Sequence, residues 1–386
     1  MEITAVLARY STRPTKLIGL LDPFDGGRKM SVFVTVLAAF GSGVIAAALG
    51  GLPAVILCGL GVCIGMIGIV SGSDFNWLSN LAFGMFLGPH VAFAPACVAA
   101  CYAKKKGYLE NSMDIITPLA SLNHYDTLIV GGIFGVCGWY LNVLIAHFFV
   151  GKIDTVAFTI VILCLAGRVI FGGDGIHGII GRVPEGNSRF SPKNSNSWLP
   201  YMTEATGIKL ILLGGGIGAV SSYITLLIMQ AYTATGNEGL ATIATMPLWG
   251  IAIVCCFVFV SGHNMPIFHH ICIVSAMAAK MAYMGGGSAD SCMVWGIAFG
   301  LFGAYAADFL ARCFCVNGDG YVDPPTMAVA VNSVLLYWLF PATGISSPSS
   351  PFFWMIPIVL IVGLIFTGIR QQRIAESGME PAAAIE

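Results

Sequence analysis

Residues 77–103 read WLSNLAFGMFLGPHVAFAPACVAACYA, an apolar run broken in its middle by Gly88-Pro89-His90. A spanning helix needs about 20 apolar residues. This run is too long for one ordinary span, and neither flank of the break is a full span alone. Proline removes a backbone donor and weakens a helix, so the break frees amide and carbonyl groups at membrane depth, where they require a cavity or a ligand. The run is a kinked helix or a re-entrant hairpin of two half-helices.

The composition around it is that of a membrane protein. Of 386 residues, 57% are hydrophobic and 10% charged, against roughly 25% charged in an ordinary soluble domain. Eighteen basic residues face 19 acidic ones, a balance that speaks against nucleic acid as a partner. The 48 glycines suit close helix approach in lipid. All of the 12 cysteines except Cys313 and Cys315 lie inside apolar stretches and read as small buried residues. Further apolar windows fall at about 31–50, 52–72, 126–149, 154–172, 208–232, 241–261, 264–284, 290–311, 324–343 and 351–370. The expected fold is an all-α polytopic membrane protein of about 10–11 transmembrane helices.

Fifteen of the 18 basic residues fall in four groups: Arg9 to Lys29, Lys104 to Lys106, Arg168 to Lys209, and Arg370 with Arg373. The positive-inside rule places all four on the cytoplasmic face. That requires an even number of crossings between the first two groups, which favours the hairpin reading of 77–103 and a cytoplasmic N-terminus. Residues 1–30 lack a continuous apolar core and read as an amphipathic surface segment rather than a signal.

Sliding the chain on itself by about 174 residues aligns several features in one order. Gly41-Ser42-Gly43-Val44 recurs as Gly214-Gly215-Gly216-Ile217, and Trp77 leading to Gly88-Pro89-His90 recurs as Trp249 leading to Gly262-His263-Asn264. The segment Val98 to Lys104 resembles Val274 to Lys280, Phe134-Gly135 with Gly138 and Tyr140 matches Phe299-Gly300 with Gly303 and Tyr305, and Asp154 aligns with Asp323. The expected organisation is residues 1–30, a first repeat 31–173, a polar loop 174–206, a second pseudo-symmetric repeat 207–343, and a further helix with its tail in 344–386. Whether the repeats are parallel or inverted depends on how often 77–103 and 241–284 cross.

Paired interruptions at corresponding places are the best sequence pointer to a transporter binding site. Gly88, His90, Gly262, His263 and Asn264 are therefore the candidate substrate-binding residues. Ionisable groups within apolar segments are costly and face a cavity or a partner. They include His269, His270, Asp126 and Arg168, with Asp308, Asp323 and Asp154 as candidates for ion or proton coupling. Asp308 also stands four residues before Arg312, the spacing of a local ion pair. Asp323 before Pro324 and Asp154 at the matching place read equally as helix N-caps. His263, His269 and His270 lack the accompanying ligands of a metal site, so no metal or cofactor is expected.

No nucleotide-binding or serine-hydrolase motif occurs. The sequence thus points away from an enzyme and, by architectural analogy, to a transporter or channel for a small polar or ionic solute, with a central site between two repeats in the lipid bilayer. The alternatives are a membrane-embedded metal-dependent enzyme and a non-catalytic membrane subunit. A homo-oligomer or partner subunits stay open.

Overall fold

The computed structural model describes residues 31–183, 185–186, 189–190, 207–263 and 265–377. Among them the chain is all-helical, with no strand. Seven helices are long and apolar enough to cross a membrane: Val32–Leu49, Gly51–Val70, Tyr125–Phe149, Gly207–Thr235, Ala289–Cys315, Pro324–Ala342 and Phe352–Arg373. The protein is an integral, multi-pass membrane protein. The segments expected to form an N-terminal surface helix and most of the polar loop 174–206 lie outside the described residues.

In chain order the first elements are α1 (Val32–Leu49), α2 (Gly51–Val70), α3 (Phe93–Lys105), α4 (Tyr125–Phe149) and α5 (Thr155–Phe171). Then come α6 (Gly207–Thr235), the short α7 (Glu238–Ile243), α8 (Pro247–Cys255), α9 (Phe257–Val260), α10 (His269–Met284) and α11 (Ala289–Leu310, continued by a wider turn to Cys315). α12 (Pro324–Ser333), extended by a second wide turn, leads into α13 (Phe340–Ala342) and finally α14 (Phe352–Ser377). Local chemistry sets several starts. Ser31, Asp154, Ser288 and Asp323 each accept a hydrogen bond from an amide of the first turn, filling part of the orphan donor set of a helix N-terminus.

Two expected spans are shorter than their apolar windows. The window 241–261 divides into α7, α8 and α9, with Pro247 restarting the helix. The window 264–284 is helical only from His269, because residues 265–268 are irregular. Likewise 83–92 separates a wide turn at Leu78–Ala82 from α3. In both places a half-length helix begins inside the bundle.

Glycine sets the helix contacts. A Cβ added at Gly43 would collide with the carbonyl of Gly131, and one at Gly135 would strike the carbonyl of Ala39 and lie 3.2 Å from the Gly43 Cα. α1 and α4 therefore run antiparallel at backbone contact, as small residues allow in lipid. α6 and α11 meet in the same manner: a Cβ at Gly300 would strike the carbonyl of Gly214 and lie 2.8 Å from the Gly218 Cα. α3 also runs antiparallel to α4, since His90 packs on Gly138 and the Tyr102 hydroxyl donates to Asp126 at 2.8 Å. α2 packs antiparallel on α8, with Gly59 against Ile253 and Val62 against Gly250, and its far end meets α7 through Ile69 and Gly239. α5 packs on α12.

These contacts correct one topological expectation. Because α1 and α3 both oppose α4, Ser31 lies at the C-terminal end of α4 whereas Lys104 lies at its N-terminal end. Residues 71–105 pass through the bundle once, as an irregular half followed by α3. They are not a hairpin that returns Lys104 to the end where α1 begins. Periodicity and charge could not decide this, since both topologies bury the same apolar residues.

Candidate functional site

The irregular halves and the α5 and α12 caps converge on one cavity of about 250 Å³. Its wall carries matching positions of two helix starts. From α5 come the cap Asp154 with Val156, Ala157 and Ile160. From α12 come the cap Asp323 with Pro325, Thr326 and Val329. The first residues of the two half-length helices, Phe93 of α3 and His269 of α10, also face it, as do Pro89 and Ile267 from the irregular stretches before them. Leu52 and Val55 of α2, and Trp249, Ile253 and Cys256 of α8 and its end, complete the opposite wall.

Each carboxylate is held by its own helix. Asp154 accepts from the Ala157 amide at 2.9 Å, and its backbone amide donates to the Ser333 hydroxyl of the helix opposite, also at 2.9 Å. Asp323 is 5% exposed. It accepts from the Thr326 amide at 2.9 Å, from the Thr326 hydroxyl, and from the Tyr321 hydroxyl at 2.8 Å. Among the described residues no lysine or arginine lines the cavity. The rings of Phe83 and Trp249 lie 5.6 Å apart on its wall, and Tyr321 and Phe259 add two more aromatic surfaces.

The loop that delivers Asp323 is anchored across the bundle. Arg168, 1% exposed on α5, donates to the carbonyls of Ile179 (3.0 Å), Phe314 and Gly320. Lys104 of α3 forms an ion pair with Asp319 at 3.0 Å, and the Gly173 amide donates to the same carboxylate at 3.2 Å. Burial alone would raise the Asp319 carboxyl. Hydrogen bonds from Ser112, Lys104 and Gly173 outweigh it and hold the group below the usual carboxylate range. Arg168 is thus a structural strut.

The other expected residues are distributed unevenly. Asp154 and Asp323 reach the cavity. His90 does not: it is 1% exposed, stacked 5.9 Å from Trp139, and neither ring nitrogen finds a partner among the described residues. Gly88 lies beside the His90 ring. Gly262 and His263 are exposed at the end of α9, away from the cavity wall, where Gly262 takes a left-handed φ of 85°. Asn264 lies outside the described residues. The second break therefore contributes Ile267 and His269 to the cavity, a few residues beyond the glycine that marked it. His270 is buried behind His269, ring edge to face at 5.9 Å. Among the described residues no group of three His, Cys, Asp or Glu side chains could hold a metal.

Asp308 is away from the cavity. Its carboxylate accepts from Arg312 Nε at 3.1 and 3.3 Å and from Nη2 at 3.1 Å, with both side chains mostly buried. The ion pair with Arg312 that the four-residue spacing suggested is present. Asp126 is likewise held by Tyr102 and Tyr108. All 12 cysteines are free. Cys137 is exposed, and Cys63, Cys255 and Cys313 are partly so, because those helix faces look outward from the bundle. Sequence reasoning passed over Trp249, Phe83 and Tyr321 as site residues. The available signals were Tyr321, two residues before the Asp323 cap, and Trp249, the repeat counterpart of Trp77.

The family model described as a family of unknown function (DUF7973) matches residues 27–196 and 185–349. No curated protein and no solved structure matches the chain.

Proposed function

We propose that this chain, which belongs to the DUF7973 family, is a membrane transporter or channel that carries a small solute through the cavity between α5 and α12. The observation that carries this reading is the cavity between α5 and α12 with a carboxylate from each half on its wall. Clefts of this kind, where two halves meet and half-length helices end at mid-depth, are the usual place of transporter sites. No enzyme family is among the matches.

The halves form two inverted repeats, α1–α5 and α6–α12. The family model matches once over each half. The pairings α1 on α4, α3 on α4 and α3 on α5 have counterparts in α6 on α11, α10 on α11 and α10 on α12. Five passages separate α1 from α6 when 71–105 counts as one broken passage, and an odd number inverts the second copy. Lys104 to Lys106, Arg168, Arg182, Arg189 and Arg370 then gather at one end, which the positive-inside rule makes cytoplasmic. Ser31 begins α1 at the other end.

Filling the cavity tests the reading. Ala157→Trp places an indole at a position that already lines the cavity. Flux of a panel of small solutes into proteoliposomes should fall by at least tenfold for any solute the parent carries. Parental flux in a folded Ala157→Trp protein contradicts the proposal.

A further inference from the structure

We propose that the solute accepted by this cavity is a small organic monovalent cation, an amine or quaternary ammonium with an apolar body; the inference rests on the transport reading above. The charge argument is one-sided. Asp154 and Asp323 present carboxylates from two helices, and among the described residues no lysine or arginine shares the wall. The N-termini of α5 and α12 would attract an anion, but both are already occupied by these aspartates, so an anion would meet like charge. A neutral solute without hydrogen-bond donors would displace water from the carboxylates and return nothing for it, and a neutral donor returns hydrogen bonds but no charge.

Shape and surface narrow the class. Divalent cations need several converging oxygen ligands, whereas no metal-holding group of side chains exists among the described residues. The volume of about 250 Å³ corresponds to about eight waters, far more than a bare alkali ion fills. Trp249, Phe83 and Tyr321 line the remainder, and aromatic faces attract cations while accepting their alkyl groups. The cavity therefore combines charge from the caps with an apolar, polarisable surface, Tyr321 standing directly beside the Asp323 carboxylate at 2.8 Å.

Choline chloride and its neutral carbon isostere, dimethylbutanol, separate charge from shape. Calorimetry on the purified protein should show saturable choline binding and at least tenfold weaker binding of dimethylbutanol. Asn is as good an N-cap as Asp, so Asp154→Asn and Asp323→Asn keep both helix starts while removing charge. Each should weaken choline at least tenfold, leave dimethylbutanol unchanged, and melt near the parent. Equal binding of the two probes, full choline binding by both folded Asn variants, or no saturable binding by any of tetramethylammonium, choline and benzylammonium overturns the proposal. Uptake by proteoliposomes keeps the two readings apart. Choline that binds without being carried upholds the cation site and sinks transport. Dimethylbutanol carried without choline binding does the reverse.

Discussion

Replacing Asp308 by Asn removes one charge from a pair whose partner cannot leave. Arg312 sits on the same helix one turn later, its guanidinium held at 3.1 Å, with side-chain exposures of 10% for Arg312 and 14% for Asp308. At an effective dielectric of about 20 two charges at about 4 Å attract by about 4 kcal/mol. Breaking a buried pair by removing one partner typically costs about 3–5 kcal/mol. The residual exposure and the other contacts of Arg312 reduce this, so we expect about 2–3 kcal/mol of destabilisation for Asp308→Asn. A thiol-reactive dye that reports cysteines uncovered on heating suits this protein, since most of its cysteines are buried. The melting midpoint should fall by several degrees, and the double variant Asp308→Asn with Arg312→Gln should recover part of the loss. Solute binding and its pH profile should be unchanged. An unaltered midpoint together with a shifted pH profile would refute the structural assignment and restore Asp308 as a coupling group.

Three further outcomes follow from particular positions. Gly300→Val should cost about 1–3 kcal/mol or more by overpacking, because the new side chain meets Gly218 and Ser275. Gly41→Ala, with nothing within 4 Å of the added carbon, should be neutral or slightly stabilising in the same melting assay. Asp319→Asn should lower stability by no more than about 1 kcal/mol, because both partners are about one third exposed. The depressed Asp319 carboxyl contributes fully above its ordinary value of 3.8, and the contribution is lost as pH falls through the lower folded value. The difference between parent and Asp319→Asn should therefore be the same at neutral and mildly acidic pH and vanish only below the ordinary carboxylate range.

Much of the bundle was legible because apolar length is a strong constraint in lipid. The break at Gly88-Pro89-His90, the caps Asp154 and Asp323 and the ion pair of Asp308 with Arg312 all stood in the sequence. Register was less legible. The glycine match aligned Gly41 with Gly214, yet the residues in equivalent contact are Ala39 and Gly43 against Gly214 and Gly218, a shift of two positions. Glycine-rich helices offer several registers of similar pattern, and only backbone contact chooses among them. The second break misled in the same way: Gly262 marks the turn, but the chain runs on for several irregular residues before His269 enters the cavity. The single passage of 71–105 was hidden because charge counting assumed that the start of α1 and Lys104 share a face. Tyr321 stood beside the Asp323 cap and Trp249 matched Trp77 in the repeat, yet neither read as a site residue, since an aromatic residue in an apolar segment looks like core until a cavity opens beside it.

A cavity that carries solute across the membrane must be reached from both sides, and the wall beside Asp154 and Asp323 is where this is read. Ala157→Cys puts a thiol on the cavity wall at a residue matched by Thr326 on the opposite helix. Membrane-impermeant thiol reagent is applied to sealed proteoliposomes from outside only or enclosed inside only, and labelling is located by peptide mass spectrometry so that native cysteines are told apart. The account predicts modification of this thiol from either side, slowed by a solute that occupies the cavity. Modification from one side only, or from neither while the protein remains folded, would contradict it.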